Sequence, residues 1–238
     1  MKTTAREDLL RWAGLALGAL AAVWAAGQGQ LGIGPLLAPT LLGVGAVLGA
    51  LGADATAPGP TGAVRVAELT PRRFLDFLTR RTVVALGCAG ALLVSLLVLA
   101  AATASPDDLG RTGRAFGYAC GEVSVLRSPW PGTYYSLPLA AVLGAATLAC
   151  GLTLRRMARR PGVDESWRRR SAARVAAAWG LMVTASLAGV SLAMAGALSG
   201  LPCAASGTLD AASWALGAVA TGAGVAALAC GIALSRRS

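Results

Sequence analysis

The sequence predicts an all-α fold, a polytopic membrane bundle of six transmembrane helices with both termini on the cytoplasmic side. Three observations lead there. First, 55% of the 238 residues are hydrophobic and 13% are charged, and mean hydropathy is +0.64. The charges cluster between long apolar runs instead of spreading as they do over a soluble surface. Second, six of these runs reach or approach the roughly 20 residues that a helix needs to cross a hydrocarbon core about 30 Å thick. They are uniformly rich in Ala, Leu and Gly, where spanning strands would alternate apolar and polar residues. Third, with the N-terminus inside, 18 of the 21 basic residues fall in cytoplasmic segments and only Arg111, Arg114 and Arg127 fall outside, as the positive-inside rule requires.

The first helix covers residues 9–27. Its basic start, short apolar run and trailing small residues also describe a cleaved signal peptide, but the next run opens at residue 31, close enough to favour a helical hairpin. Helix two, residues 31–53, carries Pro35 and Pro39 near its outer start, where a missing N–H costs little. Gly14 with Gly18, and Gly45 with Gly49, have the small-xxx-small spacing that lets helix backbones approach in lipid. The inner loop, residues 54–81, opens on a Pro-Gly stretch and closes on a short helix over 70–80, with Thr70 as N-cap and Pro71 in the first turn. Phe74, Leu75, Phe77 and Leu78 give that helix an apolar side among arginines. Such a segment lies in the headgroup layer, anchored by Phe74, Phe77 and Leu78, or docks on a cytoplasmic partner; both uses share one pattern.

Helix three, residues 82–105, leads into an outer loop, 106–135, longer than the usual connection between helices. Asp107 and Asp108 are adjacent acids that suit a cap better than a catalytic pair. Trp130, Tyr134 and Tyr135 gather where the chain re-enters the membrane and read as an aromatic anchor, with Trp24 and Trp214 at the same level and Trp12 and Trp167 at the inner one. Helix four covers 136–156, helix five 172–200 and helix six 211–235, with an arginine-dense inner loop between four and five. The phrase "LACGLTLRR" at 148–156 returns as "LACGIALSRR" at 228–237. Each copy ends a helix running outside to inside, so helices three-four and five-six read as two related hairpins in parallel orientation. An Ala-Leu-Gly vocabulary also produces such matches by chance.

Of five cysteines, Cys88, Cys150 and Cys230 lie inside helices, where a thiol is a small apolar filler. Cys120 and Cys203 are the two on the outer side, where an oxidising compartment makes a disulfide between them the expected state. The chain has no histidine, two thiolates do not complete a zinc site, and no glycine-rich loop follows a strand to cradle phosphate. Neither enzymatic activity nor a cofactor or metal is expected. The membrane cores hold no charge of the kind that marks a proton relay. Ser95, Thr147, Thr184, Ser186 and Thr221 are expected to bond their own helix backbones. The net charge of +10 follows from topology, and no cytoplasmic segment is long enough to form a nucleic-acid-binding domain.

The phrases "AELTPRR", "SPDDLGR" and "PWPGTYYSLP", spread over residues 60–140, resemble an uncharacterised family of actinobacterial integral membrane proteins. The Arg-rich, Lys-poor, Ala-rich style is similar to chains from high-GC bacteria. This resemblance implies a multi-pass protein of a bacterial plasma membrane, set near regulators and ATP-driven transporters, and brings no functional residues. Two function classes follow. One is a membrane subunit or accessory of a transport or export complex, docking a partner such as a transporter ATPase through the inner amphipathic segment. The other is a structural or regulatory membrane protein whose disulfide-tied outer cap meets envelope components. The lipid bilayer surrounds either, and a homo-oligomer fits both.

Overall fold

A computed structural model describes residues 2–28, 33–56, 79–120, 123–159, 165–199, 201 and 207–235. Six helices dominate it: α1 (Lys2–Gly27), α2 (Ile33–Ala55), α3 (Arg80–Ala102), α4 (Thr133–Arg159), α5 (Glu165–Ser199) and α6 (Gly207–Ser235). Each contains a stretch long and apolar enough to cross a membrane. The fold is not purely helical. Between α3 and α4 the chain forms β1 (Ala104–Ser105), β2 (Ala115–Cys120) and β3 (Val123–Arg127), an antiparallel sheet in the order β1-β2-β3. Phe116 pairs with Ala104 on one side and Arg127 on the other.

The bundle is organised around α5, whose apolar stretch is the most deeply buried, with that of α2 next. At 35 residues and 1.5 Å per residue, α5 is longer than a bilayer core requires, and its arginines Arg168, Arg169 and Arg170 lie in its first turns. Helices α2, α3, α4 and α6 pack against α5, while α1 packs chiefly on α2. Helices α5 and α6 lie together along their lengths; α3 and α4 touch only sparsely.

Close approaches fix the helix directions. A Cβ added to Gly14 would lie 2.5 Å from both Gly45 O and Gly49 Cα, and one added to Gly18 would lie 2.8 Å from Leu42 O, so α1 and α2 are antiparallel. Gly43 abuts Met182, Thr40 meets Ser186 and Pro39 faces Gly189, which runs α2 against α5. Gly180 sits between Leu86 and Cys230. From that level, α3 continues alongside α5 and α6 returns, with Leu92, Leu187 and Val219 grouped further on. Leu154 and Val175, then Thr147 and Trp179, border one cavity, which makes α4 antiparallel to α5. The six helices therefore alternate in direction.

Pro39, expected near the start of helix two, lies inside α2 beyond its first turn, and Pro138 lies inside α4. Each removes one i→i−4 hydrogen bond, a loss that neighbouring helices accommodate within membrane bundles; Pro39 sits in the contact with Gly189. The start of α3 is capped conventionally: Thr79 is extended (φ −68°, ψ 141°) and its hydroxyl accepts from Thr82 N.

Candidate functional site

The module between α3 and α4 begins where α3 ends. Thr103 N and Oγ1 donate to Leu99 O, closing the helix, and β1 follows at once. Asp107 then organises a tight turn. Its Oδ1 accepts from Leu109 N at 3.0 Å and Arg111 N at 2.9 Å, and its Oδ2 from Arg111 Nε at 2.7 Å. The turn uses Gly110 at φ +76°, a conformation that side chains disfavour. Gly113, at φ +75°, also lies so close to Thr133 that a Cβ would strike Thr133 Oγ1.

Burial of Asp107 by itself would raise its pKa, but the hydrogen bonds from Arg111 and Leu109 and the Arg111 charge outweigh it and hold the carboxyl below its ordinary value. A depressed folded pKa contributes stability above the unfolded pKa, lost as pH falls through the folded value. Amide protection at Leu109 and Arg111 should therefore hold steady from neutrality down to the ordinary carboxyl value of 3.8 and decline below it. In Asp107→Asn this acid step should vanish; its persistence would assign the step to another group.

The module is pinned to α3 by Trp130. Its indole is 2% exposed, Nε1 donates to Ala100 O at 2.9 Å, and its backbone N donates to Arg114 O at 3.0 Å. Its ring packs on Phe116 with centroids 4.7 Å apart. Tyr135 is buried and meets Tyr134 edge-on at 5.0 Å, while Arg114 lies 3.6 Å over the exposed Tyr134 ring, within cation–π range. The structure thus brings Trp130, Tyr134 and Tyr135 into one module, with Trp130 and Tyr135 inside protein and Tyr134 alone at the surface. Trp12, Trp24 and Trp214 are exposed. Of Cys120 only the backbone position at the end of β2 is described. Cys203, Phe74, Phe77 and Leu78 lie outside the described residues.

Inside the bundle, hydroxyls behave largely as their sequence context indicates. Ser95, Thr184, Ser186 and Thr221 each donate to the carbonyl four residues earlier. Thr147 differs: it accepts from Trp179 Nε1 at 2.8 Å, joining α4 to α5. Because the Ser186 hydroxyl gives its proton to Met182 O at 2.7 Å, Thr40 is the donor in the 2.8 Å bond to Ser186 that joins α2 to α5.

Two apolar cavities flank α5. One, of about 280 Å³, is lined by α3, α4 and α5, with Val83, Gly87, Gly151, Leu154, Val175 and Trp179 in its wall. The other, of about 300 Å³, lies between α3, α5 and α6 beside Cys88 and Thr184. At the arginine-rich end, Arg11 pairs with Asp8 at 2.9 Å. Asp54 sits within α2, not in the following loop, and borders a recess of about 10 Å³ with Arg11, Trp167, Ser171 and Arg174. That is the scale of a single water. Among the described residues no three His, Cys, Asp or Glu side chains converge as metal ligands. Compared with protein-family models, curated proteins and solved structures, the chain matches none.

Proposed function

We propose that the chain is a membrane subunit or accessory of a transport or export complex in a bacterial plasma membrane, with both termini and the arginine-rich ends in the cytoplasm. The observation that carries the reading is the surface of α6. Along it run the exposed small residues Ala211, Ala215, Ala218, Ala229 and Ala233, with Val225 among them and Trp214, Leu228 and Ile232 beside them. Lipid makes no demand for small side chains, whereas a second helix does, because they let backbones approach closely. The resemblance to actinobacterial membrane proteins found near ATP-driven transporters supports the same setting, as does the segment at 70–80 as a docking site. A duplicated hairpin origin belongs to this proposal: α3 and α5 run alike, and Cys150 and Cys230 both approach the stretch of α5 around Gly180. The different closeness of α3–α4 and α5–α6 would then be later divergence.

Affinity purification in mild detergent tests the reading, with a co-purifying ATPase expected. Ala229 is exposed and borders neither cavity, so Ala229→Leu should leave the fold intact and deplete the partner severalfold. Recovery of the chain alone, or of envelope proteins alone, counts against the transport assignment. The second outcome would favour a structural or regulatory protein with an outer cap, a reading that the built module around Trp130 supports.

A further inference from the structure

The cavity between α3, α4 and α5 has a chemically distinct mouth. Its α3 wall includes Val83 and Gly87, and Arg80 lies three and seven residues earlier, on the same helical face. Its α4 wall includes Thr147 and Gly151, and Arg155 follows four residues later on that face. Because α3 and α4 run in opposite directions, Arg80 and Arg155 flank one end of the cavity. Both are exposed, and neither takes part in an ion pair among the described residues. No acidic residue occurs in α3 or α4.

We infer that this cavity is a binding site for an anionic glycerophospholipid, with its phosphate between Arg80 and Arg155 and part of one acyl chain in the groove against Trp179. Shape, polarity and charge all agree with this occupant. The wall from Thr147 to Leu154 runs about 10 Å along the helix axis, and α3 and α4, which barely touch, leave the groove open between them. Its one polar pair is already satisfied, since Trp179 Nε1 donates to Thr147 Oγ1, so the interior asks for hydrocarbon. Basic pockets between helix ends on the cytoplasmic side suit anionic headgroups, and the arginines supply the attraction that a zwitterionic lipid would exploit less. The inference rests on the helices spanning a bilayer with this end on the proposed cytoplasmic side, and stands apart from whether the chain serves transport.

The test uses the full chain in nanodiscs containing equal phosphatidylglycerol and phosphatidylcholine with matched dioleoyl chains, released into detergent and weighed by native mass spectrometry. Wild type should retain one phosphatidylglycerol in preference to phosphatidylcholine by roughly 30-fold, the combined effect of two arginines near the surface. Arg80→Gln with Arg155→Gln should abolish the preference. Gly151 has nothing within 4 Å of an added Cβ, so Gly151→Leu fills the groove without a clash and should reduce retention of both lipids with the arginines untouched. Equal retention of the two lipids by wild type, or unchanged retention by Gly151→Leu, overturns the site. Displacement of the lipid by millimolar inorganic phosphate would mean a headgroup site without a bound chain and would overturn it too.

Discussion

Gly45→Leu is expected to push α1 off α2 and to lower the melting temperature of the detergent-solubilised protein well below that of wild type. An added Cβ at Gly45 would strike Gly14 O and lie 2.5 Å from Gly18 Cα and 2.7 Å from Gly18 N. All three obstacles are backbone atoms, so no rotamer change relieves them and the helices must separate. Overpacking costs about 1–3 kcal/mol where side chains can adjust; here they cannot, which places the effect at the upper end. Helix α1 has little else to hold it, because its packing is chiefly on α2. Gly52→Leu is the control: it lies two turns further along α2, and its added Cβ meets nothing within 4 Å. It should melt like wild type. Equal losses for the two variants would show that leucine is poorly tolerated in α2 generally and that the glycine contact contributes nothing special.

That contact was legible in the sequence, because Gly14, Gly18, Gly45 and Gly49 carry the spacing that close helix packing in lipid demands. The spans were legible for a related reason: hydrocarbon forces every backbone polar group to be satisfied within the segment, so each crossing leaves a long uninterrupted signature. The sheet between α3 and α4 left none of comparable length. Strand β2 has six residues and β3 five, and Gly117 interrupts the alternation that would mark β2. Trp130 shows a second limit. A tryptophan flanked by prolines at a membrane boundary reads the same whether it faces headgroups or a protein cap, and what decides is Ala100 O, 30 residues away in sequence. Thr147 follows the same logic: backbone bonding is the local expectation, and Trp179, 32 residues distant, overrides it. The lateral cavity was invisible for a geometric reason. Gly87 and Gly151 border it, and the sparse contact between α3 and α4 that leaves the space open has no local pattern in the sequence.

Trp130→Ala is expected to uncouple the module between α3 and α4 from α3 while leaving the helix bundle folded. Removing a buried aromatic side chain of this size costs about 3–5 kcal/mol, and here the loss includes the Phe116 contact and the bond to Ala100 O. That carbonyl lies in the last turn of α3, where no intrahelical N–H is due to it and the Thr103 hydroxyl is 3.5 Å away, so the indole N–H at 2.9 Å serves as the closer, long-range cap. Trp130→Phe keeps most of the ring and removes only the donor, which should cost about 1 kcal/mol. The backbone bond from Trp130 N to Arg114 O survives both changes, so the difference between the variants reports on the side chain alone. The measurement is amide exchange across the Phe116–Arg127 ladder, compared with exchange in α5. In Trp130→Ala the ladder should lose protection while α5 keeps it, and in Trp130→Phe the loss should be slight. Unchanged ladder protection in Trp130→Ala would mean that the strand pairing and the Asp107 turn hold the module without its indole anchor. Loss of protection in α5 as well would mean that the cap and the bundle fold as one cooperative unit, with Trp130 part of a core that extends from the sheet into the membrane.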